Sequence, residues 1–290
     1  MIGKSSMSNR NKSILAALFA STLWSTGGIF VKLIDWNPVA LAGVRSLLAA
    51  LVLIAYSKKP TITRSKPQIL GSISYAATVL SFVIANKFTT SANAILLQYT
   101  SPIFVAILSF WILKEKIRWY DLLAILFVFL GMGLFFVNEL DSGNIIGNLL
   151  AIFCGFSLAG TTIALKMEQD SSPFGITVFG NLIAFVVSIP FILTDLPSFN
   201  SLALVSLMGI IQLGIPFIFY INSMRHISAL EAILVTVMEP LLNPVWVFIF
   251  AGERPGLYAI LGGLVVITSV TVRSIYVAKK VLVNEDQPLA

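Results

Sequence analysis

Residues Ala94–Glu115 read AILLQYTSPIFVAILSFWILKE, and residues Ala232–Glu253 read AILVTVMEPLLNPVWVFIFAGE. Sliding the chain by 138 positions lays one on the other without a gap: Pro102 meets Pro240, Phe110 meets Phe248, Glu115 meets Glu253 and, just beyond, Tyr120 meets Tyr258. A weaker match at an offset of 134 sets Phe19 on Phe153, Ile29 on Ile163 and Lys32 on Lys166. Chance pairs Ala, Ile and Leu freely in apolar sequence, but it does not keep a proline, a glutamate and a tyrosine in register. The chain is two copies of one unit.

Composition says what the unit is. Of 290 residues, 57% are hydrophobic and only 11% charged, with a mean hydropathy of +0.93. A soluble domain carries about 25% charged residues, so this chain cannot cover a water-facing globule and its apolar runs read as membrane spans. Ten runs qualify: 14–34, 38–56, 68–87, 92–113, 121–138, 145–165, 174–193, 201–222, 230–250 and 257–277. Each is close to the ~20 residues that cross ~30 Å of hydrocarbon as helix. The first run lacks a convincing small-residue cleavage site and is kept as a span. The expectation is an all-α integral membrane protein with residues 1–13 and 278–290 as tails, a first five-helix repeat at 14–138 and a second at 145–277. Five is odd, so consecutive copies enter the membrane from opposite sides and the repeats are inverted. Such a pair has two related conformations, one open to each side, as in secondary transporters.

The formal net charge of +6 does not call for a nucleic-acid partner. With the N-terminus in the cytoplasm, fifteen of the nineteen Lys and Arg fall on the side of the termini, three on the other side, and Arg45 lies within a span. That bias orients the protein in a cell membrane with both termini cytoplasmic. Cys154 and His226 are the sole residues of their kinds, so no intrachain disulfide, metal cluster or cofactor motif is expected. A membrane enzyme would need clustered acids or histidines, and a channel would need charged rings or carbonyl filters. The expected partners are a small-molecule substrate and the bilayer, with the chain a monomer or a homodimer.

SANAILLQYTSPIFVAILSFWILKE and SALEAILVTVMEPLLNPVWVFIFAGE, each with an Ala-rich start, a mid-helix proline and a terminal glutamate, resemble the paired signatures of the EamA family in the drug/metabolite transporter superfamily. The resemblance covers residues 14–277 and implies carriage of small metabolites, often amino acids, without ATP. Other solute classes on the same fold, such as drug-like cations or nucleotide or sugar derivatives, remain open. The halves differ where Ser101 stands opposite Glu239, and where Val105 and Ala106 stand opposite Asn243 and Pro244.

Polar residues inside spans are the candidate site, because a charge in hydrocarbon costs from ~3 to more than 10 kcal/mol unless it meets water or a partner. Glu239 lies near mid-depth, and Thr236, Glu239 and Asn243 share a helical face at i, i+3 and i+7. Pro240 and Pro244 kink this span and free the carbonyls of Thr236 and Pro240; Pro102 makes the matching kink in the fourth span. Further lining candidates are Trp24 and Ser25 in the first span, Gln98, Tyr99 and Ser101 in the fourth, Ser157 and Thr161 in the sixth, and Gln212 and Tyr220 in the eighth. For the small residues the competing reading is close helix packing. Arg45 either snorkels outward or serves as counter-charge to Glu239 or to a substrate carboxylate. Glu239 either handles substrate or protons, or is polar glue inside the bundle. Glu115 and Glu253 end their helices against the dipole and call for nearby cations, with Lys114, Lys116, Arg118 and Arg254 at hand. Trp36 and Trp119 read as interface anchors.

Overall fold

The structure is a computed structural model that describes residues 8–138, 144–194, 196–242 and 256–285. Asn243, Pro244, Phe248, Glu253 and Arg254 lie outside the described residues. All regular structure among the described residues is helical. The spans begin where short polar side chains can take up orphan N–H groups: Ser8, Asn37, Ser65, Thr90, Asn144, Ser198 and Ser228 each accept from the first turn of the helix that follows.

The first span is Asn9–Trp24 continued by Gly27–Leu33; the second is Pro38–Ser57 and the third Lys66–Phe88. The fourth runs Ser91–Gln98, Ser101–Leu108 and a π-turn at Ser109–Leu113; the fifth is Trp119–Phe135. The sixth is Ile145–Met167, the seventh Pro173–Thr194, and the eighth Phe199–Leu207, a π-helical stretch Met208–Gly214 and Ile215–Ser223. The ninth is Ala229–Val235 followed by a helical segment at 238–242, and the tenth is Leu257–Glu285. Ten spans are therefore present. Seven of them are long and apolar enough to cross a membrane among the described residues; the fifth has 17 residues, and the first is divided into helices of 16 and 7.

The fourth and ninth spans break at repeat-related places, 99–100 and 236–237, one turn before Pro102 and Pro240. A proline cannot donate to the carbonyl four residues back, so the helix lets go there. Pro216 has the same effect on Gln212, and the eighth span widens into its π-helical stretch just before it. The break at Ser25–Thr26 has no proline. Both hydroxyls instead turn back onto the carbonyls of Thr22 and Leu23, at 2.6 and 2.8 Å, in competition with the helix ladder.

Several expectations need correction. Thr236 and Glu239 do not share one continuous helix, because the break falls between them. The tenth helix extends past 277 to Glu285, its basic end remaining helical beyond the apolar run. Trp36 is not an interface anchor: it is buried against Val31, Ile34 and Leu41, whereas Trp119 is 63% exposed, as expected of one.

Packing follows the repeat. The third span lies on the sixth and the first on the eighth; the third also lies on the seventh and the second on the eighth; the fourth touches the sixth and the first touches the ninth. Exchanging the halves turns the first contact of each of these pairs into the second. The remaining cross-contacts, second on seventh, fourth on ninth and fifth on tenth, map onto themselves. The halves are thus related by an inverting pseudo-twofold, with the fourth and ninth spans facing each other across it.

The fifth and tenth spans stand at the edge and meet backbone to backbone. A Cβ on Gly262 would come within 2.5 Å of the Gly131 carbonyl oxygen and 2.4 Å of the Phe135 nitrogen, so only glycine fits. Gly133, on the same helix as Gly131, has nothing within 4 Å of its missing Cβ. Gly262→Ala is expected to lower the thermal midpoint, with a cost of about 1–3 kcal/mol for forced separation. Gly133→Ala should be neutral or stabilising by up to ~1 kcal/mol from helix propensity. Equal melting of the two purified variants would contradict the close approach.

Candidate functional site

A narrow cleft of about 70 Å³ accessible volume lies between the halves. Its walls bring together Trp24, Arg45, Gln98, Tyr99, Gln212, Tyr220, Thr236 and Glu239 from the expected set. Gln98 and Thr236 are partners at the 138 offset, as Trp24 and Leu158 are at 134, so the cleft sits on the pseudo-twofold. Ser25, Ser101, Ser157 and Thr161 do not line it. They are buried in helix contacts, with Ser25 and Thr161 bonding back to their own helices, and close packing is the reading that fits them.

Without the Pro240 N–H, the carbonyl of Thr236 accepts from the Glu239 N–H at 2.9 Å in a tighter turn, and its second lone pair is met across the axis. The Tyr99 hydroxyl lies 2.9 Å from the Thr236 oxygen and 2.9 Å from Oε2 of Glu239. The first repeat thus supplies a phenol to the broken backbone and the acid of the second. Glu239 is half-buried and forms no ion pair among the described residues.

Arg45 is 2% exposed, which rules out snorkelling, and it does not pair with Glu239. Its guanidinium makes two long contacts, 3.4 Å from Nη1 to Gln212 Oε1 and 3.4 Å from Nη2 to the Val79 carbonyl, and lies 5.9 Å from the centre of the Phe82 ring. Its Nε has no hydrogen-bond partner among the described residues. Gln212 in turn donates to the Trp24 carbonyl at 3.4 Å, an oxygen that the break at Ser25–Thr26 leaves accessible. This approach needs Gly27, where a Cβ would stand 2.4 Å from Gln212 Nε2. Trp24, Phe217 and Tyr220 form an edge-to-face cluster with centroids 5.0 to 6.1 Å apart, and the Tyr220 hydroxyl is held 3.0 Å from Thr162 Oγ1. The sequence reading missed Thr78, Val79, Phe82, Leu158, Leu213, Phe217 and Ile233 on the walls. Apart from Thr78 they are apolar, and composition cannot tell a cleft-facing from a lipid-facing apolar residue.

On the face that carries the termini, four charged side chains tie the halves together. Arg10 of the first span pairs with Glu231 of the ninth, and Arg273 of the tenth pairs with Asp121 of the fifth at 2.7 Å, with Glu231 3.9 Å away. Asp121, Glu231 and Arg273 are all buried. Lys166 caps the carbonyls of Met224 and Ile227 at 2.7 and 2.9 Å. Glu115 forms no ion pair among the described side chains; burial pushes its carboxyl above the ordinary range, opposed by the positive charge of Lys166. At the opposite face the repeat-related partner of Glu231 is Asn93, which donates to Asn148 Oδ1 at 3.3 Å. One end of the bundle is thus fastened by ion pairs, whereas the matching position at the other end, among the described residues, makes a neutral amide contact.

A multi-span bundle of inverted repeats around a polar cleft on its pseudo-twofold is the build of a membrane transporter. The chain belongs to the EamA-like transporter family, whose profile matches it twice, over residues 11–137 and 145–275. It is similar to the uncharacterized transporter YxxF of Bacillus subtilis, 26% identical over 279 residues that cover 89% of this chain and 88% of that one. An uncharacterized transporter of Archaeoglobus fulgidus is 24% identical over 261 residues, covering 89% and 94%. A solved crystal structure shares the fold at a TM-score of 0.78 and 16% identity, spanning 93% of this chain and 99% of the other.

Two acids on the terminal face should respond oppositely to neutralisation. Glu231→Gln leaves Arg10 and Arg273 short of a buried carboxylate and should destabilise by about 3 kcal/mol. Glu115 takes up a proton more readily when folded than when unfolded, so its contribution to stability falls as pH rises above the usual carboxylate range. Glu115→Gln removes that fall, and its thermal midpoint should gain on wild type between pH 5 and pH 8. A loss that grows with pH would refute the assignment of Glu115.

Proposed function

We propose that this transporter carries small zwitterionic metabolites, amino acids foremost, out of the cell by alternating access of the cleft. The carrying observation is that a buried guanidinium, Arg45, and a carboxyl, Glu239, line one cleft without pairing to each other or to another ion among the described residues. A buried charge without a partner is costly, and a zwitterion satisfies both at once. Its carboxylate suits the planar fork of Arg45, its ammonium the oxygens of Glu239, and Trp24, Phe82 and Phe217 offer apolar surface to the side chain. The aromatic walls beside Glu239 alone would also suit an organic cation, but Arg45 in the same cleft repels one.

Glu239 is also the coupling candidate. A single hydroxyl hydrogen on Tyr99 cannot serve both acceptors 2.9 Å away. A proton on Glu239 completes a chain from carboxyl to phenol to the Thr236 carbonyl, and an arriving ammonium displaces it. Proton and substrate then exchange at one site as the cleft switches sides. The ion pairs on the terminal face close that end and must part when it opens.

Thermal-shift and counterflow assays on reconstituted protein should favour free amino acids over their methyl esters, which lack the carboxylate, and over the matching hydroxy acids, which lack the ammonium. Arg45→Gln should erase discrimination against the ester. Glu239→Gln should fold, because an amide fits the same space, yet lose transport or its dependence on pH. Wild-type rates with an unchanged pH profile in Glu239→Gln would make the carboxyl structural glue and sink the site.

Both termini are placed in the cytoplasm by the distribution of Lys and Arg. In cells carrying a variant without Cys154, a cysteine introduced at Ile62, in the exposed link between the second and third spans, should resist an impermeant thiol reagent added from outside. Rapid labelling of intact cells would reverse the orientation.

A further inference from the structure

The transport reading makes no use of the edge pair formed by the fifth and tenth spans, which bounds a larger cavity than the central cleft. A groove of about 520 Å³ accessible volume runs between them, lined by Leu123 and Phe127 on one side and Leu264, Thr268 and Val272 on the other. From Leu264 to Tyr276 it extends about 18 Å at 1.5 Å per residue, slightly more than one leaflet of ~30 Å hydrocarbon. Its walls are apolar for most of that length and open to the side.

The end of the groove toward the terminal face is different. Trp119, Tyr120 and Tyr276 form an aromatic rim, with Tyr120 and Tyr276 4.9 Å apart and Trp119 6.0 Å from Tyr276. Aromatic rings of this kind mark headgroup depth. Lys280 lies one turn beyond Tyr276 with its Nζ 5.9 Å from the Tyr120 ring centre, and Arg118 precedes Trp119. Both cations are exposed, and neither has a carboxylate partner among the described side chains. The acid nearest in sequence, Asp121, is already neutralised by Arg273. Among the described side chains the rim therefore carries positive charge without an ion-pair partner above a leaflet-long apolar slot.

We propose that this groove is a binding site for one anionic phospholipid of the leaflet on the terminal side, its acyl chain lying between the fifth and tenth spans and its phosphate between Arg118 and Lys280. A basic pocket between spans at headgroup depth has the complementary charge for such a lipid. A zwitterionic lipid fits the slot equally well but gains nothing at the rim. The site is separate from the central cleft, so its occupancy does not depend on what the protein transports.

The test is native mass spectrometry of the full-length protein exchanged between nanodiscs of phosphatidylglycerol and of phosphatidylcholine, with acyl chains held identical. Two cations near the surface at about 1 kcal/mol each correspond to ~30-fold preferential retention of the anionic lipid. The double variant Arg118→Gln and Lys280→Gln should lose that preference while keeping its melting temperature in phosphatidylcholine, since both side chains are exposed. Equal retention of the two lipids by wild type overturns the proposal, as does a preference that survives in the double variant. Efficient dimer formation through a cysteine at Tyr276 in phosphatidylglycerol membranes would show a second copy in the groove and also overturn it.

Discussion

A carbonyl that has lost its helical donor inside a membrane must find another within the protein, because hydrocarbon offers none. Pro240 creates such a carbonyl at Thr236; the Glu239 N–H turns back onto it at 2.9 Å, and the hydroxyl of Tyr99 reaches it from the opposite repeat. That contact places an opened backbone, a phenol and the carboxyl of Glu239 at one point on the axis between the halves. It joins the fourth and ninth spans, which face each other there, and the rest of the cleft is arranged around it. The breaks in the fourth and ninth spans follow from proline chemistry and that in the first from serine and threonine hydroxyls; the cleft lies where all three come together.

The two halves are similar in backbone and unlike in chemistry. Position 101 is a serine and its partner 239 a glutamate; position 99 is a tyrosine and its partner 237 a valine. An arginine enters the cleft from the second span with no ion-pair partner among the described residues. Symmetry of packing lets the bundle adopt two related arrangements, and asymmetry of side chains makes them unequal in energy. The same division holds at the ends, where buried ion pairs fasten one face and the Asn93–Asn148 contact its counterpart.

Much of this was legible in the sequence, because the membrane leaves few alternatives. Span count follows from apolar length, and inversion from an odd repeat. The carbonyl freed at Thr236 could be named from Pro240 alone. Three things could not. The break after Trp24 arises from serine and threonine hydroxyls that elsewhere in the chain sit quietly within intact helices. The apolar walls of the cleft, Val79 and Phe217 among them, obey the same hydropathy as residues facing lipid. The Arg10–Glu231 pair joins residues 221 positions apart, and no local period encodes which helix ends will meet.

The pairing of Asp121 with Arg273 also bears on how the chain is made. These residues are 152 positions apart, so the aspartate leaves the ribosome long before the arginine that neutralises it. Until then the fifth span carries a carboxylate that has its own helix start to cap but no cation to pair with, and its glycine face has no tenth span to meet. The edge pair can be completed only after the last span is synthesised. The tenth helix acts as a keystone: nascent chains truncated before Arg273 would hold nine spans and an open seam, the form in which membrane quality control would meet an unfinished molecule.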